Sequence, residues 1–237
     1  MDITTFIDKL QGYEGVNVFN PWRDYDPATE VGPKASAQRT AHLRRYLELR
    51  PEAHYLFIAE ALGYQGGHFS GIAITSERIL LGEHKDVRPE TVLGEYISEY
   101  QRTSNPQSIL LNATQKAKGF NEPTDTVVWK VLAQHGLGAF DVILWNIFPF
   151  HPHKPGQLLT NRTPSGKELD IGVEYAQMLL ELVPGMQIIA IGQKAADTLA
   201  RYGIACTAVR HPSMGGAKQF EAQVAEILGG GGRGCGR

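Results

Sequence analysis

Four short apolar runs, Tyr55–Ala59, Val142–Trp145, Gln187–Ile191 and Ile204–Val209, are separated by longer stretches of helical period. Runs of four to six residues are too short for helices and too uniformly apolar for strands with one wet face, so they read as strands covered on both sides. Strands that alternate with helices build a parallel sheet with helices on both faces. The expectation is therefore an α/β protein, a three-layer α/β/α sandwich around a central, mainly parallel four-stranded sheet, with strands over 54–60, 141–147, 187–191 and 204–209.

The helices follow from period and punctuation. A short amphipathic start spans Ile3 to Leu10, and residues 35–50 carry a stripe of Leu43, Tyr46, Leu47 and Leu49. Two helices are expected between 89 and 138, the second opening at Thr124 or Asp125 and ending near Gly136. Ser165 with Glu168 three residues later forms a capping-box pattern, and the helix it starts ends at Pro184-Gly185. Further helices run from Gly192 to Tyr202 and from Ala217 to Leu228. The Gly63–Gly71 connection, with Gly66 and Gly67 at its centre, is not expected to be a regular helix. The 148–164 segment, with four prolines and two histidines, reads as a long loop without structure of its own, functional or disordered.

The chain has 237 residues, enough for one well-buried domain, placed at 1–228, with a flexible Gly-rich tail at 229–237. No run of about 18 apolar residues and no basic-then-apolar leader is present, so no membrane partner is expected. The expected location is a bacterial-type cytoplasm, in the nucleoid when acting on DNA. Two cysteines, Cys206 and Cys235, make neither a disulfide framework nor a cysteine-rich metal site. A formal net charge of −2 gives no general nucleic-acid signal. Residues 194–237 nonetheless hold a local basic surplus, with solvated surface charge as the alternative account.

Polar groups just past the carboxyl ends of parallel strands converge on one crevice. Here those groups are Glu60 after the first strand, Asn146 in the second and His211-Pro212-Ser213 after the fourth. A carboxylate, an amide and an imidazole in one crevice suit recognition of a flat heterocycle and cleavage of the bond that holds it.

Read together, these segments resemble the uracil-DNA glycosylase superfamily. Ala59-Glu60-Ala61-Leu62-Gly63 followed by Ser70-Gly71-Ile72-Ala73-Ile74 is similar to its first motif. Ile143-Leu144-Trp145-Asn146 is similar to the strand that ends in the base-reading asparagine, and His211-Pro212-Ser213 to its last motif. Asn161-Arg162-x-Pro164, Glu168 and Ile188–Gly192 follow the order of family 4, the branch closest in motifs, and the resemblance covers about residues 55–228. Family 4 members of the thermostable type hold an iron–sulfur cluster on four cysteines; this chain has two, so no cluster, metal or other cofactor is expected. Leu62 replaces the first motif's proline, Ala61 lies where several families place an Asp or Asn that positions water, and Ile74 replaces the phenylalanine that stacks on the flipped base.

The resemblance implies hydrolysis of the N-glycosidic bond of uracil in DNA, with uracil-containing DNA as partner and a monomer as the acting unit. No lysine in the matched motifs could form a Schiff base, so strand cleavage is not expected. His211 would donate to uracil O2, or else be a loop histidine bonded to backbone. Glu60 would position or activate water, or organise the loop that does; a carboxylate capping the Gly63–Gly67 turn is the alternative. Gln65 and His68 are further candidates for handling water. Asn146 offers the donor and acceptor that match the N3–H and O4 edge of uracil. Phe69 or Phe148 would stack on the base in place of Ile74, with core packing as the alternative, and Tyr64 would wall the pocket or else be a surface loop residue. Met214 would wedge into the space left by the flipped nucleotide, and Ser70, Ser213 and Lys218 would hold neighbouring phosphates. An enzyme for hypoxanthine or xanthine, and a binding module without catalysis, remain open.

Overall fold

A computed structural model describes residues 1–94, 102–135 and 137–230. In chain order the elements are α1 (Ile3–Gln11), β1 (Val18–Phe19), α2 (Ala35–Glu48), β2 (Tyr55–Ala61), α3 (Gly67–Ser70), α4 (Glu77–Leu80) and α5 (Pro89–Leu93). Then come α6 (Ala113–Lys118), α7 (Pro123–Gln134), β3 (Val142–Phe148), β4 (His151–Pro152), α8 (Gly166–Leu182), β5 (Gln187–Ile191), α9 (Gln193–Arg201), β6 (Thr207–Val209) and α10 (Ala217–Gly230).

The central sheet is four-stranded and wholly parallel among the described residues, in the order β3-β2-β5-β6, with helices flanking it as the alternation of runs predicts. Every residue of β3 is buried, which is why its sequence shows no polar alternation. Helix α8 packs on β3, α9 on β5 and β2, and α10 on β6 and α7. From β2 the chain crosses to β3 on one side, and β5 then lies on the other side of β2. A crevice opens at such a reversal, beyond the carboxyl ends of the strands. The register aligns Ala59 with Asn146, and Ile191 with Val209, so the strands end nearly level there.

Four sequence expectations change. Residues 67–70 do form a single helical turn, because Gly66 lies outside it as the residue before α3. The 148–164 segment is structured: β4 pairs antiparallel with β1, joining Val18 to Pro152 and Phe19 to His151. Strand β6 is shorter than expected, beginning at Thr207. Between 89 and 138 there are three described helices rather than two, and the expected helix end at Gly136 lies outside the described residues. Residues 229 and 230 close α10, and the rest of the Gly-rich tail, with Arg233, Cys235 and Arg237, lies outside the described residues.

Candidate active site

The crevice has a volume of about 560 Å³ and gathers residues from seven separate segments, Ile74 among them. Glu60 to Gly63 come from the end of β2, Asn146 from β3, Gly192 to Ala195 from the β5–α9 junction, and Arg210 to Met214 from the segment after β6. Glu122 and Thr124 at the start of α7 and Asn161 to Pro164 complete the wall.

Asn146 is 2% exposed, and its Oδ1 is buried with no hydrogen-bond partner among the described residues. Leaving a buried amide oxygen unpaired costs about 1–3 kcal/mol. A group held bare at that cost on a crevice wall is set for a donor that arrives with a ligand.

His211 is half-buried. Its Nδ1 accepts from the Ser213 backbone N–H at 3.1 Å and contacts the Ser213 hydroxyl at 2.7 Å. A backbone N–H can only donate, so Nδ1 carries no proton, and the proton of the neutral ring sits on Nε2. Burial holds the imidazole below its ordinary value; Arg210 beside it adds to this and Glu60 opposes it. Gly192 makes room for the ring: its φ is +91°, and a Cβ there would lie 3.3 Å from the His211 Cβ.

Glu60, at 29% side-chain exposure, is paired with Lys194 Nζ at 3.2 Å, tying the end of β2 to the first turn of α9. Arg162 forks onto Glu168 at 2.6 and 2.8 Å, and Asn161 accepts from the Tyr64 N–H at 3.0 Å. These two brace the 148–164 segment against α8 and the Gly63 turn. Arg210 makes no side-chain hydrogen bond or ion pair among the described residues and is exposed at the rim.

Ile74 lines the crevice at 3% exposure with φ of +50°, a strained conformation for a β-branched residue. Ser70 helps to hold it there. Its buried hydroxyl donates to Thr75 O at 2.6 Å and accepts from Ile72 N–H at 3.1 Å. Ser70 is 0% exposed and cannot reach DNA, which corrects the sequence expectation.

Further expectations fail because the aromatic side chains near the crevice pack against one another instead of lining it. Phe69 is wholly buried and stacked on Phe120, with ring centroids 4.1 Å apart. Tyr64 packs edge-on against Phe120 at 6.3 Å and does not wall the crevice. Phe148 lies in the core against Tyr13 and Phe150. His68 is likewise structural. His151 Nε2 donates to Thr160 O at 2.8 Å, so its Nδ1 accepts from His68 Nδ1–H at 2.9 Å, and burial holds both rings below their ordinary values.

Ser213 and Met214 stand on the crevice rim, with Met214 94% exposed at φ of +52°. Lys218 is exposed in the first turn of α10, outside the crevice lining.

Sequence reasoning missed Glu122. It lines the crevice, and burial with the Asp125 charge behind it pushes its carboxyl up to about 8. No side-chain cap bond to α7 is made. The available signal was the pairing of Glu122 with Pro123, which marks a helix start but not a crevice.

No protein-family model and no curated protein sequence matches this chain. Among solved structures it is similar to wild-type SMUG2 from Pedobacter heparinus, at 12% identity, with a TM-score of 0.58 over 96% of each chain. The two proteins share a fold. Among the described residues no group of three or more His, Cys, Asp or Glu could hold a metal ion, and no helix is long and apolar enough to cross a membrane.

Proposed function

We propose that the crevice is the active site of a monofunctional DNA glycosylase of the uracil-DNA glycosylase superfamily, hydrolysing the N-glycosidic bond of uracil in DNA to leave an abasic site. The bare, buried Asn146 Oδ1 in the same crevice as a neutral His211 carries this reading. The fold shared with SMUG2, a protein of that superfamily, supports it. The closeness to family 4 rests on motif order alone.

Asn146 Oδ1 accepts from uracil N3–H and its Nδ2 donates to O4. Cytosine offers no donor at N3 and would leave Oδ1 unpaired, so it is rejected. His211 Nε2–H donates to O2, and this bond strengthens as the departing base gains negative charge. Glu60, paired with Lys194, lies near the forming sugar cation and orders water there. Ile74 walls the flipped base. Met214 fills the vacated stack, while Arg210, Ser213 and Lys218 meet phosphates on either side. One chain acts on one lesion as a monomer, in the cytoplasm where the chromosome lies.

The test is single-turnover base release from a labelled uracil-containing single strand and a U·G duplex. Wild type should release uracil, and His211→Ala should be slower by roughly 100- to 1000-fold, the usual cost of one lost donor at a developing anion. No release from either substrate contradicts the uracil reading. Release from hypoxanthine or xanthine lesions instead would move the assignment to another deaminated base, which the non-aromatic Ile74 wall favours. Lesion binding without any release would make the chain a binder.

A further inference from the structure

One carboxyl in the crevice has no structural task. Glu122 precedes α7 yet makes no capping bond, and no hydrogen bond reaches its side chain among the described residues. Its Oε2 nests against Gly66, where a Cβ would fall 1.8 Å away. Only glycine leaves room for the carboxyl at that point. Gly66 belongs to the turn that leaves β2, and Glu122 and Ala61, which brings only a methyl group, both line the crevice.

We propose that Glu122 is the catalytic residue that accepts the proton of the attacking water. This rests on the glycosylase reading given above. The C1′–N bond breaks with its electron pair on the base, where His211 meets the growing charge. The water oxygen bonds to C1′, one water proton passes to the Glu122 carboxylate, and the released base takes a proton from solvent. Glu60, held by Lys194, positions the water rather than taking its proton.

The charged groups that share the crevice or the helix start with Glu122 are Asp125, Glu60, Lys194, Arg162, Arg210 and His211. Burial first, and Asp125 second, raise the Glu122 carboxyl to about 8. A base so placed is matched to a working pH near neutrality. It acts only when ionised, so the rate should climb with pH and level off above about 8. Burial holds His211 below its ordinary value, so its own titration falls beneath the Glu122 limb.

The test is the single-turnover rate from about pH 5.5 to 9.5 for wild type, Glu122→Gln and Glu122→Asp, on the uracil-containing single strand. Wild type should rise about tenfold per pH unit before levelling. Glu122→Gln should be roughly 100-fold slower and flat with pH, and Glu122→Asp should regain part of the rate together with the limb. Binding of a strand carrying non-hydrolysable 2′-fluoro-deoxyuridine should change less than about threefold in both variants, which separates proton transfer from folding and recognition. A Glu122→Gln enzyme that keeps the rising limb, or loses binding in step with rate, overturns the assignment. Wild type without base release from any lesion overturns the glycosylase reading and takes this assignment with it.

Discussion

Glu77 and Glu122 are both turned inward on the same side of the fold, yet their surroundings are opposite. Glu77 is 2% exposed and saturated: Oε1 accepts from the N–H groups of Thr103 and Ser104 at 2.9 and 2.8 Å, and Oε2 accepts from the Ser104 hydroxyl at 2.6 Å. Glu122 has an open crevice on one side, glycine on the other, and no donor among the described residues. A saturated carboxylate organises chain segments, here tying residues 103–104 to α4. A bare one is left with capacity for a ligand or a proton. Asn146 belongs with Glu122 in this division, and Ser70 belongs with Glu77.

Substitutions can break or sharpen that contrast. The largest effect is expected at Glu77→Ala, which strands two buried backbone N–H groups at about 1–3 kcal/mol each, so urea denaturation should show a loss of roughly 2–6 kcal/mol. Glu122→Gln should act the other way at high pH. Its folded-state value is raised above the ordinary 4.5, so the proton it holds favours the native state fully below 4.5, and that contribution is lost as pH rises through about 8. Glu122→Gln should therefore match wild type near pH 4 and exceed it at pH 9, by roughly 1–2 kcal/mol after allowance for the water-filled crevice. Denaturation midpoints across that range would check this, and a variant less stable than wild type at pH 9 would place Glu122 with the structural carboxylates.

Asn146→Ala should leave stability within about 1 kcal/mol of wild type, because no internal bond to Oδ1 is lost, while weakening lesion binding about tenfold by anisotropy. The smallest change is expected at Met214→Gly. Relief of the positive φ should raise stability by at most about 1 kcal/mol, while base release from duplex should fall further than release from single strands.

The sheet, its order of strands along the chain and the convergence of Glu60, Asn146 and His211 were all legible, because buried parallel strands leave continuous apolar runs and their carboxyl ends share one edge. Side-chain direction after a glycine-rich turn was not. Phe69 and Ser70 sit in the right segment by sequence, but one helical turn at Gly67–Ser70 points them into the protein, while Tyr64 before that turn packs edge-on against Phe120. Glu122 was hidden for another reason. Its role depends on the turn at Gly66, far from it in sequence, and no local pattern encodes that approach. Pairing of β4 with β1 was equally non-local, since each strand is only two residues long.

The most direct test of the account is a crystal structure with a strand carrying 2′-fluoro-deoxyuridine. The account places the uracil ring extruded into the crevice against Ile74, N3 within hydrogen-bond distance of Asn146 Oδ1 and O2 within that of His211 Nε2. A base that stays stacked in the strand, or one seated away from Asn146 and His211, would contradict it.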